Sequence, residues 1–342
     1  MINLGKYVFN EDQIISCVNF LKNSDVIFSG TLSESDFKKF NFQNTKIVSK
    51  QNGLITFINL EFDIGENDVV YCHLDYLEVL FRMLKNLKYQ NIKIISTQSD
   101  RKVKKFIFKQ KPICISEWYS VNVDFKDENL IPIPLGIASY RNTKSVIFED
   151  FLDIGEIDKI NNSFYTNFNE NTNYFHRVKA KKSIFKYLGQ NIIDNIDYSS
   201  YLKNLKSSTF ALAPWGNGYD THRFWESLYS GTVPITISNT HYKSFNDMPV
   251  ILINEYDDLK NIDKDFKFFD KKIEKLNIEW WLSKIKTDSN ENLSTSHIKV
   301  GRLDLFFLNI HLLKIKFKNK FKKTIFTIFR KFHKKFSNLR KI

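Results

Sequence analysis

Short apolar runs alternate with helix-patterned stretches along the first half of the chain. Asp25–Ser29, Asp68–Cys72, Ile92–Ser96, Ile113–Ser116 and Ile131–Leu135 are such runs, and their length and bounding residues predict buried strands. Tyr76, Leu77, Leu80, Phe81 and Leu84 recur at helical spacing between two of them. A strand-then-helix rhythm predicts a parallel sheet in a doubly wound layout. The second half repeats it, with strands expected over Ser163–Phe168, Asn191–Ile196, Thr209–Ala213, Val233–Ser238 and Pro249–Ile253. The mixed, charged stretch from 140 to 162 is the expected crossing. With 342 residues the chain exceeds a comfortable single core. The expectation is therefore α/β, with two Rossmann-like parallel-sheet domains facing a cleft, residues 1–145 and 146–310, followed by a basic amphipathic helix over 311–342.

One segment carries more chemistry than the rest, LKSSTFALAPWGNGYDTHRFWESLYSGTVPITIS, from Leu205 to Ser238. The run Thr209–Ala213 suits a strand covered on both faces, and Pro214 suits its end. Gly216 and Gly218 in the following loop allow positive φ and let a ligand approach the backbone. Asp220 is the expected N-cap of a helix running from Thr221 to Ser230, about three turns long, with Gly231 just past its end. Unpaired amides and the positive end of the helix dipole make such a terminus an anion site, suited to a diphosphate. His222 and Arg223 lie in that first turn. Glu226 follows Arg223 by three residues and His222 by four, so all three share a face. Arg223 can fork onto phosphate oxygens, and a carboxylate one turn deeper suits ribose hydroxyls. The same spacing also suits an i,i+3 surface ion pair beside a simple glycine turn.

The order Pro214, Gly216, Gly218, Arg223, Glu226, Gly231, Pro234 resembles the signature of exostosin-like glycosyltransferases and, more loosely, of fucosyltransferases and other enzymes with the GT-B fold. Upstream, Lys93–Asp100, Glu117–Asn122 and Ile131–Ile137 resemble three segments of bacterial exostosin-like proteins, and Phe164–Phe168 with Thr172 and Arg177 resembles the opening of their second domain. The likeness runs from roughly 90 to 255. It implies that Glu226 holds the ribose of a nucleotide-sugar donor and Arg223 its diphosphate, with Arg177 as a second diphosphate candidate. The position eight before Glu226 is Gly218, so the paired-glutamate pattern of many retaining GT-B enzymes is absent and an inverting enzyme is favoured.

Glycosyl transfer also needs a base to take the acceptor proton. Asp100, after the strand at 92–97, and His73 or Asp75, after the strand at 68–72, occupy strand ends where such a group belongs, although caps and satisfied polar groups occur at the same places. Trp118 and Asn122 are candidates for lining the acceptor cleft, with core packing the alternative for Trp118. No Asp-x-Asp pair stands at an expected strand end. Metal independence is therefore expected, with no cofactor beyond the nucleotide-sugar substrate.

The formal net charge is +13, which taken alone suggests a nucleic-acid binder. Twelve Lys and Arg fall between Leu312 and Ile342 with no Asp or Glu, leaving 39 basic and 38 acidic residues elsewhere. The charge therefore belongs to a tail. Phe317, Phe321, Ile325, Ile328, Phe332, Phe336 and Leu339 form a helical stripe through it, the pattern of a helix lying on an anionic membrane surface. A final helix packed on the body and an arm for RNA or DNA are the alternatives. Cys17, Cys72 and Cys114 are odd in number and widely spaced, as expected of buried free thiols in a reducing compartment. No 18-residue apolar run and no leader pattern occurs. These features predict a cytoplasmic protein peripheral on the inner face of the cell membrane, and the resemblance implies an enzyme acting there on a glycan or lipid-linked acceptor, as in cell-surface polysaccharide or lipopolysaccharide assembly. A GDP-fucose-dependent enzyme and a non-catalytic nucleic-acid or membrane-binding protein are the rival readings.

Overall fold

The structure, a computed structural model, describes residues 1–88, 90–141, 145–193, 196–286, 295–317 and 321. It is mixed α/β and built on two parallel sheets. In the first half five strands lie in the order Leu130–Pro132, Ile115–Ser120, Ile92–Thr97, Val69–His73, Val26–Ile27. Every residue of Val69–His73 is buried, which is why the run is continuously apolar rather than alternating. Helix Leu77–Leu84 buries Leu77, Leu80, Phe81 and Leu84, the helical stripe expected from the sequence. The second half holds four parallel strands, Ile160–Tyr165, Ser208–Leu212, Val233–Ile237 and Ile251–Ile253, in that order.

Among the described residues the named strands of each sheet follow one another in chain order. Between Ile27 and Val69 the chain forms helix Glu34–Lys39 and a three-stranded antiparallel sheet in the order Ser29–Ser33, Leu54–Asn59, Thr45–Gln51. The expected strand over Asn191–Ile196 is not found as such. Ile193 makes only an isolated parallel bridge to Asn167, and residues 194 and 195 lie outside the described ones.

The halves exchange segments across the division expected near residue 145. The hairpin Ile2–Leu4/Tyr7–Phe9 packs on the second half, where the Phe9 ring meets Tyr229 edge-on at 5.7 Å and the Tyr7 hydroxyl donates to Glu274. In return, helix Ile278–Ile285 accepts a hydrogen bond from Lys93 through the Ile285 carbonyl, and Thr295–Lys299 pairs antiparallel with Glu61–Gly65. One cluster of buried side chains consequently spans both sheets, from Phe20 and Tyr71 to Phe210 and Trp225.

A helix over 302–317 crosses the division expected at 310/311. It buries Leu308 in the first half's own core and packs Leu305, Leu312 and Ile315 against that core. Of the tail stripe, Phe317 and Phe321 are exposed, while Ile325, Ile328, Phe332, Phe336 and Leu339 lie outside the described residues. Among those described, no helix is long and apolar enough to cross a membrane. All three cysteines are free and buried.

Candidate active-site cleft

The carboxyl ends of the two sheets face a cleft of about 670 Å³ lined by residues of both halves. Its volume is that of a small-molecule site. Asp100, Arg177, Gly216, Gly218, Asp220, His222, Arg223 and Glu226 all line it, so residues from 100 to 226 converge on one space.

The central element is helix His222–Tyr229, capped by Thr221 without a side-chain bond and followed by Ser230 and a left-handed Gly231. It is shorter than expected because Asp220 does not cap it. The Asp220 carboxylate, buried, accepts from the Leu135 amide at 2.8 Å, from Trp225 Nε1 at 2.7 Å, from His241 Nε2 at 3.0 Å and from the Tyr242 hydroxyl at 3.3 Å. Both of its oxygens are thereby occupied. Asp220 is a brace between loop, helix and the opposite half, and a role in holding an anionic donor does not suit it.

Arg223 sits in the first turn. Its Nη2 donates to Asn167 Oδ1 at 3.2 Å, its guanidinium lies 5.1 Å from the centre of the Tyr201 ring, and its Nη1 is buried with no partner among the described residues. Thr221 Oγ1, also buried and lining the cleft, has none either. Buried polar atoms ordinarily find partners, and a buried cation without a counter-charge is costly. The alternative reading, an i,i+3 ion pair with Glu226, is not what forms. The Glu226 carboxylate instead accepts from the Tyr201 hydroxyl at 2.6 Å, and burial raises the Tyr201 phenol well above its ordinary value, keeping it a donor.

Arg177, on helix Tyr174–Leu188, donates to three backbone carbonyls, those of Trp215 at 3.0 Å, Asn169 at 2.8 Å and Pro214 at 3.3 Å. It shapes the loop before the central helix. Burial first, and then the charge of Arg223, pushes its guanidinium down to about 10. Two cations thus share this corner of the cleft, and the hydrogen bonds they make go only to neutral oxygens.

His222 binds across the cleft, its Nδ1 2.8 Å from the Gly136 carbonyl. A carbonyl only accepts, so Nδ1 carries the hydrogen and a neutral ring has its lone pair on Nε2. Neither Gly216 nor Gly218 has a positive φ, contrary to the expectation from the loop sequence. Gly218 is small for another reason. A Cβ there would stand 2.7 Å from Asn122 Oδ1 and 2.9 Å from Nδ2, and that Asn122 side chain accepts from the Asp220 amide and donates to the Ser99 carbonyl. Asn122 lines the cleft, whereas Trp118 is fully buried with Nε1 on Ser96 Oγ.

Of the three base candidates, exposed Asp100 reaches the cleft. His73 and Asp75 do not line it. The buried His73 ring accepts the Asp75 amide on Nδ1 and so serves the turn after its strand, whereas Asp75 Oδ1 accepts from Ser99 Oγ at 2.7 Å and ties that turn to the loop after Ile92–Thr97. Sequence reasoning missed Tyr201 and Gln98, which also line the cleft. Tyr201 lies in helix Tyr198–Ser207 beside the buried Leu202 and Leu205 and reads as core from spacing alone. Among the described residues no group of three or more His, Cys, Asp or Glu is placed to hold a metal ion.

No protein-family model matches the chain, and no curated protein matches it. Among solved structures it is similar to AviGT4, a glycosyltransferase involved in avilamycin A biosynthesis, at 12% identity over 53% of this chain and 66% of that one, with a TM-score of 0.26. It is also similar to an alpha1,3-fucosyltransferase at 12% identity, over 66% of this chain and 80% of that one, with a TM-score of 0.32.

Proposed function

We propose that the chain is a glycosyltransferase of the exostosin-like, GT-B type that moves a sugar from a nucleotide-diphosphate donor to a glycan or lipid-linked acceptor in cell-surface polysaccharide synthesis. One observation carries the reading: Arg223, in the first turn of His222–Tyr229, lines a cleft between two parallel sheets and keeps a buried Nη1 with no partner among the described residues. A diphosphate supplies the missing counter-charge, meeting Arg223, Thr221 Oγ1 and the first-turn amides together. Glu226, held by Tyr201, then faces the ribose hydroxyls.

In the transfer an acceptor hydroxyl oxygen forms a bond to the anomeric carbon from the side opposite the diphosphate. The bond from that carbon to the diphosphate oxygen breaks, and its electron pair leaves on the nucleoside diphosphate. The charge that develops there is met by the two guanidiniums and the helix terminus, in the manner of a preorganised electrostatic site. The acceptor proton passes to Asp100, and the configuration inverts. This donor set meets diphosphate charge with protein cations, so metal-independent turnover is part of the proposal.

A thermal-shift panel of nucleoside diphosphates tests the reading. UDP or GDP at about a hundredfold excess over its Kd is expected to stabilise the protein by about 2.7 kcal/mol, equally with and without a chelator. Arg223→Ala is expected to melt near the wild-type temperature and lose that shift, and Asp100→Asn to keep the shift while losing transfer. No shift with any nucleotide, or an undiminished shift in Arg223→Ala, would sink the proposal.

A further inference from the structure

Helix 302–317 is apolar on two opposite faces. At 100° per residue, Leu305, Leu308, Leu312 and Ile315 fall on one side, and these are the residues packed on the first half's core. Leu303, Phe306, Ile310, Leu313 and Phe317 fall on the other. Of that second set, Leu303 is 73% exposed, Phe306 58%, Leu313 55% and Phe317 72%. A helix that rests on a protein core ordinarily turns polar residues outward, and a contiguous exposed apolar strip marks an interaction surface.

The helix is held firmly. The Arg82 guanidinium lies 3.8 Å from the Phe307 ring centre and 3.8 Å from the Asp304 carboxylate, Lys46 Nζ donates to Asn309 Oδ1 at 2.9 Å, and the His311 ring bonds the Asp75 carbonyl at 2.5 Å. The outward stripe is therefore presented by the folded body, on the same half that carries Asp100. Charge identifies the occupant. The stripe continues in the sequence through Phe321 into the segment with twelve cations and no carboxylate between Leu312 and Ile342, and Arg302, Lys314 and Lys316 flank it on the helix itself. Two copies of so cationic a segment repel each other, whereas anionic lipid headgroups attract it.

We infer that helix 302–317 lays the first half of the protein on an anionic bilayer, with Leu303, Phe306, Leu313 and Phe317 entering the boundary between headgroups and acyl chains. The contact thus begins on the folded body, upstream of the tail to which spacing and charge alone assigned it. It does not depend on the proposed activity, and nucleotide binding is expected to be untouched by its loss.

Flotation of the full-length protein with vesicles tests it. Vesicles containing about one third phosphatidylglycerol are expected to carry the protein, and pure phosphatidylcholine vesicles to carry about tenfold less. The variant L303S/F306S/L313S/F317S is expected to lose about tenfold in vesicle binding while keeping the wild-type melting temperature. Should it melt lower, the single variants F306S and L313S carry the comparison. Wild-type binding by these variants overturns the inference, as does equal binding to neutral vesicles. It is overturned equally by a concentration-dependent dimer in sedimentation that the variant abolishes while vesicles capture nothing.

Discussion

Gly218 shows how a residue type can be legible while its reason is not. A glycine before a helix invites the reading that the backbone turns left-handed or that a ligand comes close, yet its φ is ordinary and the nearest neighbour is a side chain from the other half. Gly218→Ala places Cβ under 3 Å from Asn122, whose amide is held at both ends. It is expected to cost about 1–3 kcal/mol in urea unfolding. At Gly216 a Cβ meets nothing nearer than 3.6 Å, so Gly216→Ala is expected to be close to neutral in stability. Equal losses would refute this assignment. Arg223 and Glu226 are the converse case. Their presence on one helix face is a matter of spacing, but whether they neutralise each other depends on Tyr201, which arrives from another helix and takes the carboxylate.

At the scale of elements, the parallel strands were readable because burial on both faces demands unbroken apolar runs. The hairpin in the three-stranded sheet was readable in principle too. Asn52 and Gly53, at φ +53° and +73°, join Thr45–Gln51 to Leu54–Asn59 as a two-residue hairpin turn, for which Asn-Gly is the strongest short signal. Thr295–Lys299 was not, because its exposed and half-buried residues carry little apolar pattern and its partner Glu61–Gly65 lies 230 residues away. Side chains help fasten this strand. His297 Nδ1 binds Asp63 at 2.8 Å and Nε2 binds Glu61 at 3.1 Å, and these two carboxylates raise the imidazole above its ordinary value. A raised folded value means the contribution is full below the unfolded value near 6.5 and fades as pH climbs through the folded one. Amide-exchange protection factors over 295–299 are expected to fall as pH rises above about 6.5, and His297→Ala to lower them at pH 6 and remove that dependence. Protection that rises over the same range would contradict the ion pairs.

For the molecule as a whole, the seam between the halves matters as much as either sheet. Asp220 joins the Leu135 amide to Trp225, His241 and Tyr242, His222 bonds the Gly136 carbonyl, and Asn122 receives the Asp220 amide. Removing the carboxylate strands several buried donors at once. Asp220→Ala is therefore expected to destabilise by about 2–4 kcal/mol, measured by urea unfolding, whereas a surface aspartate replaced in the same way should cost little. The sequence by itself determined what is local: which runs are buried strands, where the amphipathic helices lie, that the loop before His222 and the turn after it form one unit, and that the cations concentrate at one end. Only the tertiary structure decided which polar groups find partners. Asp220 was taken up by the seam, His73 by its own turn and Asp75 by Ser99, and Arg223, which lines the cleft, was left with a buried nitrogen that has no partner among the described residues. The physical reason is that strand and helix periodicity act over a few residues, while a buried charge is satisfied by whichever distant side chain the packed core brings within hydrogen-bond reach.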